Sequence, residues 1–492
     1  MLRMTVSSPL NNPGLCPPNP STTRDLAGRF LRDTVFQRAV KVTALFSAVL
    51  SCCCVLAEEK ATTVRPIEWR KFKQYPELLA VMTDKDAQDD LRQSARCLLN
   101  WARYNAAWMP SAADSVEKDE VEGTGDQRIR PKCHAAYGMA IVLTTGIFDE
   151  KLVGVDKKEA LFRTVRLIKT VAMAHGNSKM KKANWGYSWQ SPLWAALLAQ
   201  GAWILWDELD AETREKIASI VIREADRKLK YKVPYWSEGN PKDSKAEENS
   251  WDSMILFVAV AMLPEHPHVR DWKEKCSELM VGSYCLEEDL KNERRVDGRP
   301  VKNWIRGWNV REDGAVINHA RLHPDYMVCF YLQIGSFAAQ PLAGQEVPEA
   351  ADFNVPFIYK TLVNQKWESP PYNKPGGAIY IPGKAVLYYP QGTDWSPYFF
   401  AAYYCADVYA HLLGWDKDLS SPARDWMRIR IKSLIEMQER HEDRHMYTDK
   451  ECGKLGQSAE QLWVQKLGEA FLLQWLHAQN AVKRGNWLAP AE

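Results

Sequence analysis

From Glu58 onward, apolar residues recur at the three-to-four-residue spacing of a helix face, and this period leaves almost no room for a sheet. Leu91, Ala95, Leu98, Leu99 and Ala102 share one face, as do Ala136, Met139, Ala140 and Leu143. Leu193, Leu197, Gly201 and Ile204 repeat the pattern, followed by Ile217, Val221 and Ala225. The run from Ser250 to Leu263 is apolar nearly all round, the mark of a helix buried on every side. Further helices are predicted near 271–290, 324–338, 349–363, 397–414, 423–439 and 457–480. The one candidate strand is Ala378–Tyr389. No long Gly/Ser linker divides the chain, so residues 58–492 are read as a single all-α domain.

The predicted helices pair through connections of very unequal length. Short ones such as Leu209-Asp210-Ala211 suit packed antiparallel neighbours. The long ones, 108–131, 176–189, 231–249, 291–318 and 365–396, are dense in aromatics, and loops of that kind usually carry function. A ring of helical hairpins explains this asymmetry, with the long loops gathered at one end to build a cleft. An irregular bundle is the alternative. A solenoid would show a regular sequence period, and none is visible.

Residues 1–57 read as an export leader, with positions before Phe36 either an over-extended start or a long polar segment. Arg38 and Lys41 precede the apolar run Val42–Leu50, and small residues follow up to Val55-Leu56-Ala57. The run is too short for a comfortable membrane span. Cleavage after Ala57 would leave Glu58 first; Cys52 is an alternative lipoprotein acylation site. Either way the expected location is secreted or periplasmic. The leader holds six basic and two acidic residues; removing them from totals of 64 and 62 leaves 58 and 60, a mature charge near −2. Such a surface offers no global field for nucleic acid or membrane. Seven scattered cysteines remain after the leader, without a Cys-x-x-Cys pair, which disfavours zinc ribbons and redox motifs. They suit small buried hydrophobes, with one or two disulfides open to them in an oxidising compartment.

Four clusters carry candidate chemistry. The first is Asn184–Pro192, where Trp185, Trp189 and Gln190 sit at a loop-to-helix junction. Indole faces suit the C–H surfaces of sugar rings, while Trp203 and Trp206, mid-helix, read as core. The second sets Glu247, Glu248, Asn249 and Asp252 at the mouth of the most apolar helix. Capping and the helix dipole explain some of these groups but not all four, which makes Glu248 and Asn249 candidates to touch a ligand. The third gathers Trp308, Arg311, Asp313, His319, Arg321, His323, Asp325 and Tyr326. His and Tyr transfer protons, and Arg offers a fork that suits a carboxylate. His319 and His323, four apart, would suit a metal with Asp325 on a continuous helix, but Pro324 argues against such a helix, so no metal is expected. The fourth is the loop around Tyr389, Asp394 and Trp395, read as a cleft wall or lid.

With these residues in view, the chain resembles the polysaccharide lyases built on an (α/α) toroid: alginate and glucuronan lyases, and the toroid domains of chondroitin, hyaluronate and heparin lyases. Those enzymes use an Asn that holds the uronate carboxylate, then a His, then a Tyr a few residues on. Asn249, His319 and Tyr326 follow that order, in loops that precede helices. Phe330 stands where an arginine commonly follows the tyrosine, so Arg311 or Arg321 would have to replace it. The resemblance implies an incomplete ring over roughly residues 65–490, an acidic polysaccharide or oligosaccharide substrate, and no metal or organic cofactor. It implies β-elimination, with the carboxylate neutralised by Asn249 and an arginine, and His319 and Tyr326 exchanging protons. Two rival readings remain: an inverting glycoside hydrolase using Glu248 or Asp252 with Asp313, Asp325 or Asp394, and a non-catalytic surface glycan-binding protein.

Overall fold

The computed structural model describes residues 63–111, 128–176, 185–239, 241–419 and 421–489. By packing, the described residues belong to one compact unit. The leader, residues 112–127 of the predicted loop 108–131, and residues 177–184 including Asn184 lie outside the described residues.

The chain is mostly helical, and three of its long helices begin at aspartate caps. Helix α1 (Lys85–Trp108) starts at Asp84, whose carboxylate accepts from the Asp86 and Ala87 amides. Asp156 caps α3 (Lys157–Ala174) through the Glu159 amide, and Asp210 caps α5 (Ala211–Leu229) through Thr213. Each of these three turns one face inward. By contrast α4 (Ser191–Ile204), α6 (Ala246–Met262) and α12 (Ala459–His477) are buried along nearly their whole length, α4 and α6 as their near-continuous apolar sequence requires.

Further helices are α2 (Ile129–Thr144), α7 (Val269–Ser283), α8 (Ser336–Leu342), α9 (Val355–Asn364), α10 (Ala401–Leu413) and α11 (Ala423–Glu439). Helix α2 packs on α4 and on α12, α4 on α6, α6 on α7 and α8, and α8 on α12. In addition, α3 lies against α2, α5 against α4 and α6, α1 against α11 and α12, and α9, α11 and α12 against α10.

The helix expected over 324–338 is broken into Pro324–Met327, a 3-10 turn at Val328–Phe330, Tyr331–Ile334 and α8. The strand expected at Ala378–Tyr389 does not form a ladder. Pro382 and Gly383 fold the segment back on itself, and single bridges join Lys366 to Ala378 and Tyr380 to Leu387. Regular strands among the described residues are three pairs of two-residue segments. The seven cysteines are free thiols and buried. No described helix is long and apolar enough to cross a membrane.

Candidate active site

The site begins with a tight hairpin. Ile317–Asn318 pairs antiparallel with Arg321–Leu322, leaving His319 and Ala320 as a two-residue turn. Both have positive φ, 49° and 61°, as hairpin turns matched to strand twist demand, in a region where glycine or asparagine is the usual occupant. The turn is held from behind. The His319 amide donates to Asp243 Oδ1 at 3.0 Å, the Ala320 amide to the Lys242 carbonyl at 2.9 Å, and the Ser244 amide to the Ile317 carbonyl at 2.7 Å.

Right after the hairpin, His323 caps the short helix Pro324–Met327, and its carbonyl accepts from the Tyr326 and Met327 amides. Pro324 takes the first helical position, where its missing amide hydrogen costs nothing. The hairpin and the cap together turn His319, His323 and Tyr326 toward one another.

A chain of polar contacts follows. Tyr326 Oη lies 3.2 Å from His319 Nε2, and His319 Nδ1 lies 2.9 Å from Asp394 Oδ2. Asp394 Oδ1 in turn lies 3.0 Å from His323 Nε2. Asp394 comes from a loop fastened to the hairpin, since the Leu322 amide donates to Gln391 Oε1 at 2.6 Å. The Trp395 ring closes one side, 5.5 Å from the Tyr326 ring and 6.3 Å from His323. His319 is exposed, whereas Tyr326 and His323 are buried.

Beneath this chain sits Asp325. Tyr389 and Tyr403 donate to its Oδ1 at 3.1 and 3.0 Å, and Thr393 donates to Oδ2 at 3.1 Å. Burial raises its carboxyl to about 6, against the pull of those three hydroxyls. Burial also lowers His323 to about 4, opposed by Asp394. Tyr326 is pushed well up, first by burial and then by the charge of Glu247. Glu247 thus bears on the site, although the sequence pattern points to its neighbours Glu248 and Asn249. Arg321 is half-buried, makes no ion pair among the described residues, and its charge reaches His323.

The structure therefore brings together His319, His323, Tyr326, Tyr389, Asp394 and Trp395, with Arg321 nearby. It places the other predicted residues elsewhere. Asn249 is 0% exposed, its amide nitrogen donating to the Pro234 carbonyl at 3.1 Å and the Gly282 carbonyl at 3.3 Å. Such a group anchors backbone and offers nothing to a carboxylate, which corrects the role expected of it. Glu248 pairs with Lys245 at 2.9 Å and Arg311 with Asp313 at 2.5 Å, both local contacts. Trp185 is 3% exposed, packs edge-on against His175 and donates its indole hydrogen to the Val171 carbonyl, so it belongs to the core. Gln190 is also buried, at the start of α4. Trp308 is half-buried, its amide donating to Ser237 Oγ at 3.1 Å. Trp189 is 57% exposed, standing edge-on to Trp251 of α6 at 4.7 Å.

The sequence offers Asp325 as a metal ligand or a hydrolytic acid, and the structure makes it instead a buried support beneath His323 and Tyr326. Its position between those two residues is the available signal. Nothing local announces Thr393 or Tyr403 as its partners. No family model, curated protein or solved structure matches the chain.

Proposed function

We propose that this protein is a polysaccharide lyase that cleaves a uronic-acid-containing glycan by β-elimination. The observation that carries the reading is the Tyr326–His319–Asp394 chain, a phenol and an imidazole 3.2 Å apart with a carboxylate holding the far ring nitrogen. Two proton-transfer groups in contact, one of them exposed, are what removal of a C5 proton and protonation of a leaving oxygen require.

In the step envisaged, the C5–H and C4–O bonds break and a C4=C5 double bond forms. His319 Nε2 takes the Tyr326 hydroxyl proton as the Tyr326 oxygen takes the C5 proton, and the imidazolium so formed returns one proton to the departing glycosidic oxygen. The pair ends as it began. Arg321, uncommitted and adjacent, is the cation toward which the uronate carboxylate would be drawn. Trp189 is suited to stack against a sugar ring farther along the chain.

The wider architecture supports the same reading. The packing order α2, α4, α6, α8, α12 and back to α2 returns to its start, as the inner helices of a toroid would, with α10 packed on α12 as well. The basic, apolar and small-residue succession at residues 38–57 suits an exported enzyme acting on an extracellular polymer. The hydrolase reading is less well supplied, since Asp252 is tied to Lys228 at 2.6 Å and Asp325 is saturated by hydroxyls.

The test is a screen of the protein against alginate, glucuronan, ulvan and glycosaminoglycans, read by absorbance of the unsaturated uronate near ~235 nm. Turnover on one of these, falling at least about 100-fold in Tyr326→Phe, is the expected result. New reducing ends without absorbance would instead indicate hydrolysis, and binding without turnover a glycan-binding protein.

A further inference from the structure

We propose that His319 Nδ1, His323 Nε2 and the Asp394 carboxylate form a binding site for a divalent transition-metal cation of the zinc type. The three ligand atoms lie within 4.8 Å of one another. The two imidazole-to-carboxylate distances, 2.9 and 3.0 Å, are close to the spacing of roughly 3–3.5 Å between atoms that share an ion about 2.1 Å away. Two imidazoles and one carboxylate are a donor set that zinc and its neighbours accept, and three protein ligands leave a position for an incoming oxygen.

Tautomers give the second, independent argument. Without a cation, both ring nitrogens that face Asp394 must carry hydrogen to bond it. His323 Nδ1 would then be a bare lone pair, and this atom is buried, has no hydrogen-bond partner, and faces Asp325 Oδ2 at 3.6 Å. Lone pair against carboxylate is a poor arrangement in a dry site. With a cation on Nε2 the hydrogen moves to Nδ1 and points at Asp325. That is the carboxylate–imidazole–metal pattern by which outer groups orient metal ligands. His319 is arranged in the same sense, with Nδ1 toward the cation and Nε2 toward Tyr326 Oη. Each histidine therefore has one nitrogen for the ion and one for a supporting oxygen. The exposed side chain of His319 provides the entry path.

The experiment uses untagged full chain, stripped with chelator and titrated with ZnCl₂ by calorimetry, with metal content checked by elemental analysis. One equivalent of zinc per chain is expected. Asp394→Asn and His323→Gln should weaken binding more than 100-fold. Asp325→Asn, which contacts no ion, should weaken it by about 10–100-fold. His445→Ala, in the separate surface pair stacked on His441 at 3.6 Å, should leave it unchanged. Circular dichroism of each variant separates loss of the site from loss of fold. Zinc retained at full affinity by folded Asp394→Asn, or lost in His445→Ala, would overturn the proposal. Stoichiometric zinc that depends on Asp394 and His323 upholds it even if no glycan is cleaved, so the two proposals fail separately.

Discussion

Ala320 occupies left-handed backbone at φ 61° beside His319 at φ 49°, and a side chain there costs roughly 1–2 kcal/mol relative to an unstrained conformation. Ala320→Gly relieves that strain while adding disorder to the unfolded chain, so it should leave stability unchanged or raise it by up to about 1 kcal/mol. Ala320→Val should lower it by at least about 1 kcal/mol, because a branched side chain fits that region worst. Urea midpoints of the two variants check this, and equal midpoints would refute it. The same residues show how far sequence can reach. His319, His323 and Tyr326 are legible because only seven positions separate the first from the last, and local geometry could hardly part them. Asp394 closes the chain from 71 and 75 residues away, and its partners cannot be read from its own surroundings. Asn249 misleads for a different reason. Polar groups at the mouth of an apolar helix need partners, and here the protein itself provides them: carbonyls for Asn249, Lys228 for Asp252, Lys245 for Glu248.

At the scale of elements, crossings depend on missing side chains as much as on present ones. Gly201 of α4 faces α2 so closely that an added Cβ would sit 2.9 Å from the Ala136 carbonyl carbon and 3.0 Å from both its oxygen and the Tyr137 nitrogen. Those are backbone atoms of a packed helix and cannot swing aside. Gly201→Ala, which would favour an isolated helix, should therefore destabilise the protein by about 1–3 kcal/mol. Thermal or chemical unfolding measures it, and a gain in stability would show that α2 and α4 can separate freely. The apolar period announces both helices. The same period reads Gly201 as one more small apolar position, since a face pattern carries no information on how near the neighbour comes. The broken helix over 324–342 escapes for a related reason, as its apolar character suits a helix of any regularity.

For the whole molecule, burial of acids sets a pH response. Glu460, at the start of α12, accepts from the Met446 and Tyr447 amides at 2.7 Å each, and burial raises its carboxyl to about 7. The folded chain thus binds this proton more tightly than the unfolded one. Its stabilising share is complete below the ordinary glutamate range and fades as pH rises through about 7. Glu460→Gln should flatten the fall in urea midpoint between pH 5 and pH 8. An unchanged pH slope would mean that the acid is hydrated after all. One further consequence follows from Asp325. Its three hydroxyl donors come from positions 389, 393 and 403, two on the loop that carries Asp394 and one on α10. Any swing that lifts this loop must leave a buried acceptor dry, costing about 1–3 kcal/mol for each hydrogen bond broken. If the protein acts on a polymer as proposed, that polymer would meet a fixed jamb rather than a door, and selectivity would be decided by shape at first encounter instead of by later closure.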